Sequence, residues 1–420
     1  MKQQIEKRIL KEEPGTAWGF SNPESKLQRP TLTLDPEPMM AAMGIKKPTS
    51  GFTLVELMIA IMIIGILMAI AIPAINRSII TARQAAIRME VNALNQAVEQ
   101  YMLKYGDYPP DGSDKDIVTR HMRRLFPRMS PKDTTLLRKL TDANADNSLD
   151  QSFSATAMDR AEALVFFLGG FSGNALNPLT GEGGPLALRP GVANPNSDII
   201  GDYQCNGTRD NSFFDFDPFR LTLRRVGDEN GPLMSNDEEL FGYTTAPYGG
   251  VDPLPAYVTR VGAGAPMIYF DSRSYGRVSE SDASGGVTSR YNGYASPNFG
   301  AIRPYKTLNN AKPPRNGTAY ANEDEAFAAL QFQNPSTFQI IAPGLDGLFG
   351  SLVDNASLPV HFVTETGEPV FPNTGANGVS ALRVVGTGIG PRFQEGGTDV
   401  SGHLDNITNF STSTLGDDLQ

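Results

Sequence analysis

Nineteen consecutive residues without a charge, LMIAIMIIGILMAIAIPAI from Leu57 to Ile75, constrain this chain more than any other feature. At about 1.5 Å of rise per residue the run reaches roughly 28 Å, enough to cross the hydrocarbon core of a bilayer. Lys46 and Lys47 precede it. The bias of basic residues towards the cytoplasm therefore puts the N-terminal side inside the cell and the bulk of the chain outside. A secretory signal has a shorter apolar region, roughly 7–15 residues, and small residues at its cut site. Ala74-Ile75-Asn76-Arg77 is a poor context of that kind. A plain signal anchor fits the length but leaves Glu56 unexplained, because a carboxylate at the edge of an apolar span is costly and usually functional.

Composition narrows the rest. Of 420 residues, 40% are hydrophobic and 20% charged, which suffices for a core and excludes wholesale disorder. The 42 Gly and 31 Pro favour short strands and turns over a helical bundle. With 36 Lys and Arg against 46 Asp and Glu, the net charge of -10 argues against a general nucleic-acid binder. Cys205 is the sole cysteine, so no intramolecular disulfide staples the fold. His121, His361 and His403 are too scattered for a cluster of histidine metal ligands. No Ser-His-Asp combination sits in a nucleophile elbow, and Cys205 has no activating neighbours in sequence. The expectation is a chain that is not an enzyme.

Gly51-Phe52-Thr53-Leu54-Val55-Glu56, followed by the long apolar run, resembles the cleavage and methylation motif of type IV pilins and type II secretion pseudopilins. The resemblance covers about 55 residues. It implies that prepilin peptidase cuts after Gly51 on the cytoplasmic side and that Phe52 becomes N-methylated. Counted from Phe52, Glu56 is the fifth mature residue and Pro73 the twenty-second, as in that family. Each residue has a physical role. Gly51 lets an extended backbone lie close in the peptidase cleft. Glu56, poorly solvated in lipid, would pair with the new amino group of a neighbouring subunit during assembly. Pro73 has no N–H and should kink or locally melt the helix; the alternative is that it marks the end of the membrane helix. The expected leader is longer than usual, with 8 Lys and Arg against 6 Asp and Glu in residues 1–50. A start at Met43 would leave the short basic leader MGIKKPTSG.

After the apolar run, Ile80, Ile87, Val91, Leu94, Val98, Tyr101 and Tyr105 are spaced as one apolar stripe of an amphipathic helix. Gly106 suits a left-handed C-cap, and Pro109-Pro110 prevents continuation. The stripe could serve a coiled-coil dimer, but a head with sheet to cover favours packing within the chain. In the head, DKDIVTRHMRRLFPRM (114–129) predicts a helix with Arg120, Arg123, Arg124 and Arg128 on a solvated face. MDRAEALVFFLGG (158–170) predicts a second helix. SFFDFDPFRLTL, PMIYFDSRSY, TFQIIAPGLDGLFG and ALRVVGTG read as strand-like pieces between turns.

Two carboxylate clusters offer oxygen ligands to a hard cation. Asp142, Asn144, Asp146, Ser148 and Asp150 alternate like the start of an EF-hand loop. Asn147 stands where that loop has its glycine and Phe153 where it has its glutamate, although Asp159 and Glu162 keep an offset that could complete it. The plain alternative is an acidic solvated turn. The second cluster, GLDGLFG (344–350) with DNITNF (405–410), resembles the C-terminal calcium region of major pseudopilins. That resemblance implies Asp346 and Asp405 as ligands, with Asn409, although about 55 residues intervene where the family site is compact. Asp-Gly is also an ordinary turn.

The expected protein is α+β: a long N-terminal helix, membrane-spanning in its first half, packed on an antiparallel β-rich head. Its regions are a cytoplasmic leader (1–51), a transmembrane and filament-core helix (52–75), an amphipathic helix (76–106) and an extracytoplasmic head (107–420). The resemblance implies an inner-membrane, single-pass subunit with a periplasmic head. Its partners would be prepilin peptidase, copies of itself, other pseudopilins and the secretion system's inner-membrane assembly platform. A type II secretion pseudopilin is the leading expectation; a type IV pilus subunit for adhesion, motility or DNA uptake is the second. A signal-anchored extracytoplasmic enzyme or binding protein is the third. Mass spectrometry of the protein from cells containing the peptidase should show a chain beginning at methylated Phe52. Gly51→Ala should retain much of that cleavage and a bulky residue at 51 should block it; an uncut wild-type chain overturns the reading.

Overall fold

The computed structural model describes residues 51–141, 157–242, 252–260, 264–275, 293–307, 330–350, 361–365, 367, 369–370 and 403–418. The chain divides into two units, Met1–Gly65 and Ile66–Gln420. The described part of the first unit is dominated by the beginning of helix α1 (Leu54–Tyr105), which is continuous into the second. The other helices are α2 (Lys115–Leu125), α3 (Pro131–Thr141), α4 (Ala163–Leu168) and α5 (Asp237–Phe241). Among the described residues the strands are β1 (Leu186–Leu188), β2 (Tyr203–Cys205), β3 (Leu223–Arg225), β4 (Leu233–Ser235), β5 (Ile268–Asp271), β6 (Tyr294–Ser296) and β7 (Gly300–Ile302). They continue with β8 (Lys306–Thr307), β9 (Gln331–Phe332), β10 (Phe338–Ala342), β11 (His361–Phe362), β12 (Pro369–Val370) and β13 (Ile407–Thr408). Every ladder between these strands is antiparallel, so the fold is α+β with a long N-terminal helix.

The central sheet has the order β13-β10-β5. Ile340 stands opposite Tyr269, and Ala342 opposite Ile407. All five residues of β10 are buried, as expected of a strand covered on both faces. Alternation along the strands divides two cores. Tyr269, Phe338, Ile340 and Ala342 join the cluster that holds Ile87, Val91, Leu94, Val98 and Tyr101 of α1. Ile268, Phe270 and Ile341 belong to a second cluster, with Phe241, Tyr305 and Phe349.

Polar contacts fix how α1 lies on the head. Glu90 receives both ends of the Arg220 guanidinium, with Nη2 at 2.7 Å from Oε2, and Tyr257 Oη donates to Glu90 Oε1 at 2.8 Å. Arg220 also lies over the Tyr257 ring, 4.3 Å from its centroid, and donates to the Val258 carbonyl. Tyr101 Oη is 2.8 Å from His121 Nε2, and His121 Nδ1 is 3.3 Å from Asp107. Burial holds the His121 pKa below its ordinary value against the opposing pull of Asp107.

The sequence expectations fare differently from element to element. Ile87, Val91, Leu94, Val98 and Tyr101 are buried, but Ile80 is 48% exposed, so burial of the stripe starts seven residues later than its spacing predicts. Periodicity identifies a helical face but not where the covering surface begins. Gly106 has φ +72° and its N–H donates to Met102 O at 2.7 Å, the expected left-handed cap. Helix α2 is capped by Asp114, whose carboxylate accepts from the N–H groups of Asp116 and Ile117; it carries Arg120, Arg123 and Arg124 exposed but ends at Leu125, short of the expected 129, so that Arg128 is exposed beyond it.

Helix α4 is shorter than 158–170, because the Asp159 side chain accepts from Ala161 and Glu162 and holds the preceding residues in a turn. SFFDFDPFRLTL is mostly not strand: Asp217 and Pro218 start a 3₁₀ turn (Pro218–Arg220), and β3 begins only at Leu223. Helix α3 adds to the expected elements: Ser130 before Pro131 is a readable start, and Leu136, Leu137 and Leu140 are its buried face. ALRVVGTG lies outside the described residues.

Leu94 is fully buried and Met89, five residues earlier, is 72% exposed. Leu94→Ala should therefore cost about 2–5 kcal/mol, and Met89→Ala less than about 0.5 kcal/mol. Denaturant unfolding of the detergent-purified chain measures both; equal losses would show that α1 does not use this face.

Candidate processing and assembly site

Helix α1 begins with a reciprocal cap. Thr53 N–H and Thr53 Oγ1 both donate to Glu56 Oε2, at 2.8 and 2.9 Å, and Glu56 N–H donates back to Thr53 Oγ1 at 3.2 Å. This is a capping box, with threonine at the N-cap and glutamate three residues on, and it satisfies backbone donors that a helix start leaves open. Thr53 was not singled out from sequence, but the T-x-x-E spacing ahead of an apolar run is a readable signal. The box fixes the Glu56 carboxylate at the first turn.

Phe52 is 88% exposed. A Cβ built on Gly51 would have nothing within 4 Å, and Gly51 is not in the left-handed region of φ. The fold of this chain therefore makes no demand for glycine at position 51; any such demand belongs to what the segment meets.

Residues 51–83 are exposed throughout. Leu54, Leu57, Ile61, Met62, Leu67, Ile70, Ile75 and Ile80 each leave between 48% and 73% of their surface uncovered. Among the described residues, α1 is the one helix long and apolar enough to cross a membrane. A helix apolar on every side belongs in lipid or in a core supplied by other chains. Pro73 lies inside α1, which runs unmelted through it to Tyr105. The proline φ is compatible with a helix, and the helix continues for many turns on both sides, so the missing N–H does not stop it.

The C-terminal cluster is partly assembled. Asp346 N–H donates to Asp405 Oδ2 at 3.2 Å, which brings the GLDG turn against the DNITNF segment. A Cβ on Gly344 would lie 2.0 Å from Asp405 Cγ, so this approach requires glycine. Asp405 Oδ1 is buried without a hydrogen-bond partner. Burial first, and the Asp346 charge second, push the Asp405 carboxyl up to about 6. Asn409 is employed elsewhere: its Oδ1 accepts from Ile340 N–H at 3.0 Å and its Nδ2 donates to Asn95 Oδ1 at 2.9 Å. That side chain ties β10 to α1, a role its place in the sequence did not suggest. Asp142, Asn144, Asp146, Ser148 and Asp150 lie outside the described residues.

Residues 46–72 match the family described as Prokaryotic N-terminal methylation motif. The chain is 36% identical over 69 residues to a fimbrial protein of Neisseria meningitidis serogroup B, covering 16% of this chain and 41% of that relative. It is 41% identical over 75 residues to the fimbrial protein EcpB of Eikenella corrodens, covering 18% of this chain and 46% of the relative. It is 36% identical over 69 residues to the type IV major pilin protein PilE of Neisseria gonorrhoeae, covering 16% and 41%. The chain thus spans less than half the length of these relatives. No solved structure matches it.

Proposed function

We propose that this chain, whose N-terminal segment is similar to that of type IV pilins, is a structural subunit of a pilus-like filament and, more narrowly, a pseudopilin of a type II secretion system. The observation that carries this reading is the uncovered apolar helix with a carboxylate held at its first turn. In lipid the helix is already in an apolar environment, so moving it into a filament core gains little hydrophobic energy. A polar contact must supply the direction. Prepilin peptidase cuts after Gly51 and leaves a methylated amine on Phe52. Both Thr53 bonds end on Glu56 Oε2, so Oε1 is the oxygen that meets the amine of a neighbouring subunit. That pairing neutralises two charges, each costly in a low-dielectric core.

Two observations support the secretion reading. Cys205 is buried and free, so no intrachain disulfide closes the head. Asp346 and Asp405 meet, with one buried oxygen of Asp405 open, and we propose calcium as the ion that completes this contact. The names of the relatives, fimbrial protein and type IV major pilin, favour the second reading, a subunit of a type IV pilus. In either case the chain is anchored in the inner membrane with its head outside the cytoplasm until it assembles.

Glu56→Ala should yield a cleaved, methylated chain that accumulates in the membrane and does not enter filaments, read by sheared-filament immunoblotting. Normal filaments from that variant would remove the charge-pairing role. For the C-terminal contact, Asp346→Asn with Asp405→Asn should lower the calcium dependence of the melting temperature by about 2–5 °C. An unchanged calcium response would exclude an ion at those two residues.

A further inference from the structure

Glu162, Asp237 and Asp252 come from three separate parts of the head and meet in its interior. Glu162 is the residue before α4, Asp237 opens α5 two residues after the end of β4, and Asp252 lies five residues before Tyr257 of the Leu221–Tyr257 bridge. They are 4%, 4% and 2% exposed. One carboxylate oxygen from each lies within 4.8 Å of the other two.

Asp252 carries the argument beyond a mere accumulation of acids. Its Oδ1 accepts from Leu254 N–H at 2.9 Å, whereas its Oδ2 is fully buried and receives no N–H or hydroxyl donor; the Glu162 carboxyl stands within hydrogen-bonding reach of the Asp252 carboxyl. A buried carboxylate oxygen left open is costly, because it has given up water for nothing. Burial, and then the nearby Asp237 charge, push the Asp252 carboxyl well above the usual range, and Asp159 adds to this. The local backbone is well anchored: Ser235 N–H donates to the Asp252 carbonyl at 2.7 Å, and Ser235 Oγ donates to Asp237 Oδ1 at 2.8 Å. Asp159 N–H positions Glu162 Oε2 at 2.9 Å.

We propose that Glu162, Asp237 and Asp252 form a binding site for a hard divalent cation, calcium, that joins α4, the β4–α5 corner and the Asp252 segment. The donor set is all oxygen, which suits calcium or magnesium rather than zinc or copper. Opposed oxygens around calcium stand about 4.6–5.2 Å apart, twice its bond length. The three oxygens all lie within 4.8 Å of one another, so one calcium ion can reach all of them. Magnesium holds oxygens at about 2.0–2.1 Å and retains several waters, which suits a site this closed less well. The ion fills the open valence of Asp252. The site shares no residue with the Asp346–Asp405 contact and does not depend on the filament reading.

The test uses full-length protein in detergent, carrying Asp346→Asn and Asp405→Asn so that the C-terminal contact contributes nothing. After chelator treatment, calcium should raise the melting temperature by about 5 °C at saturation and bind with one-to-one stoichiometry by calorimetry. Adding Asp252→Asn should abolish both effects, and Glu162→Gln should weaken binding at least tenfold. Where Asp252→Asn does not fold, Glu162→Gln and the parent decide. A parent indifferent to calcium overturns the proposal, as does a calcium response that survives Asp252→Asn. Asparagine mimics a neutral carboxyl, so a folded Asp252→Asn protein of undiminished stability, with no calcium effect in its parent, would mean that protons occupy the cluster.

Discussion

Burial of Val91, Leu94, Val98 and Tyr101 against Phe338, Ile340 and Tyr269 is the interaction on which the head depends. It covers one face of the β13-β10-β5 sheet, while Ile268, Phe270 and Ile341 use the opposite face for a second core. Without α1 the first face would be open apolar surface, and with no disulfide nothing covalent would hold the short ladders together. The Glu90–Arg220–Tyr257 network and the Asn95–Asn409 bond then select one placement of the helix out of those that burial alone permits. Directional contacts are suited to that task, because hydrophobic burial is not directional.

The same helix is uncovered from its start as far as residue 83. Its two halves therefore obey different solvents, and this difference connects fold to function. The C-terminal half is stabilised by its own chain. The N-terminal half requires lipid or other chains, and its capping box keeps Glu56 at the first turn. Pro73 lies inside the helix without dividing it.

The head also concentrates buried charge. Asp111 accepts from Arg160 and from Ser274 Oγ, so it is compensated. Asp133 accepts from Leu179, Thr180 N–H and Thr180 Oγ1 and is compensated too. Asp252 and Asp405 each retain a buried oxygen without an N–H or hydroxyl donor. Among the described residues they are the carboxylates with such an oxygen, and those two positions are where an added cation has the most to contribute.

What could be read from the chain depended on range. The apolar run, the Gly51–Glu56 motif, the stripe from Ile87 to Tyr101 and the cap at Gly106 are all local patterns, set by residues within a few turns of one another. Helical period and side-chain chemistry determine such features before any tertiary contact forms. Glu90 and Arg220 are 130 residues apart, and Asn95 and Asn409 are 314 apart, so no spacing rule links them. Ile80 fits the stripe and remains exposed, because a pattern specifies a face and not the surface that covers it. By itself the sequence determined a greasy helix with an acid at its start and a turn-rich head. Only the folded chain decided where that helix becomes buried, and that Glu162, Asp237 and Asp252 share one interior point, since burial and long-range proximity exist only once distant segments have packed.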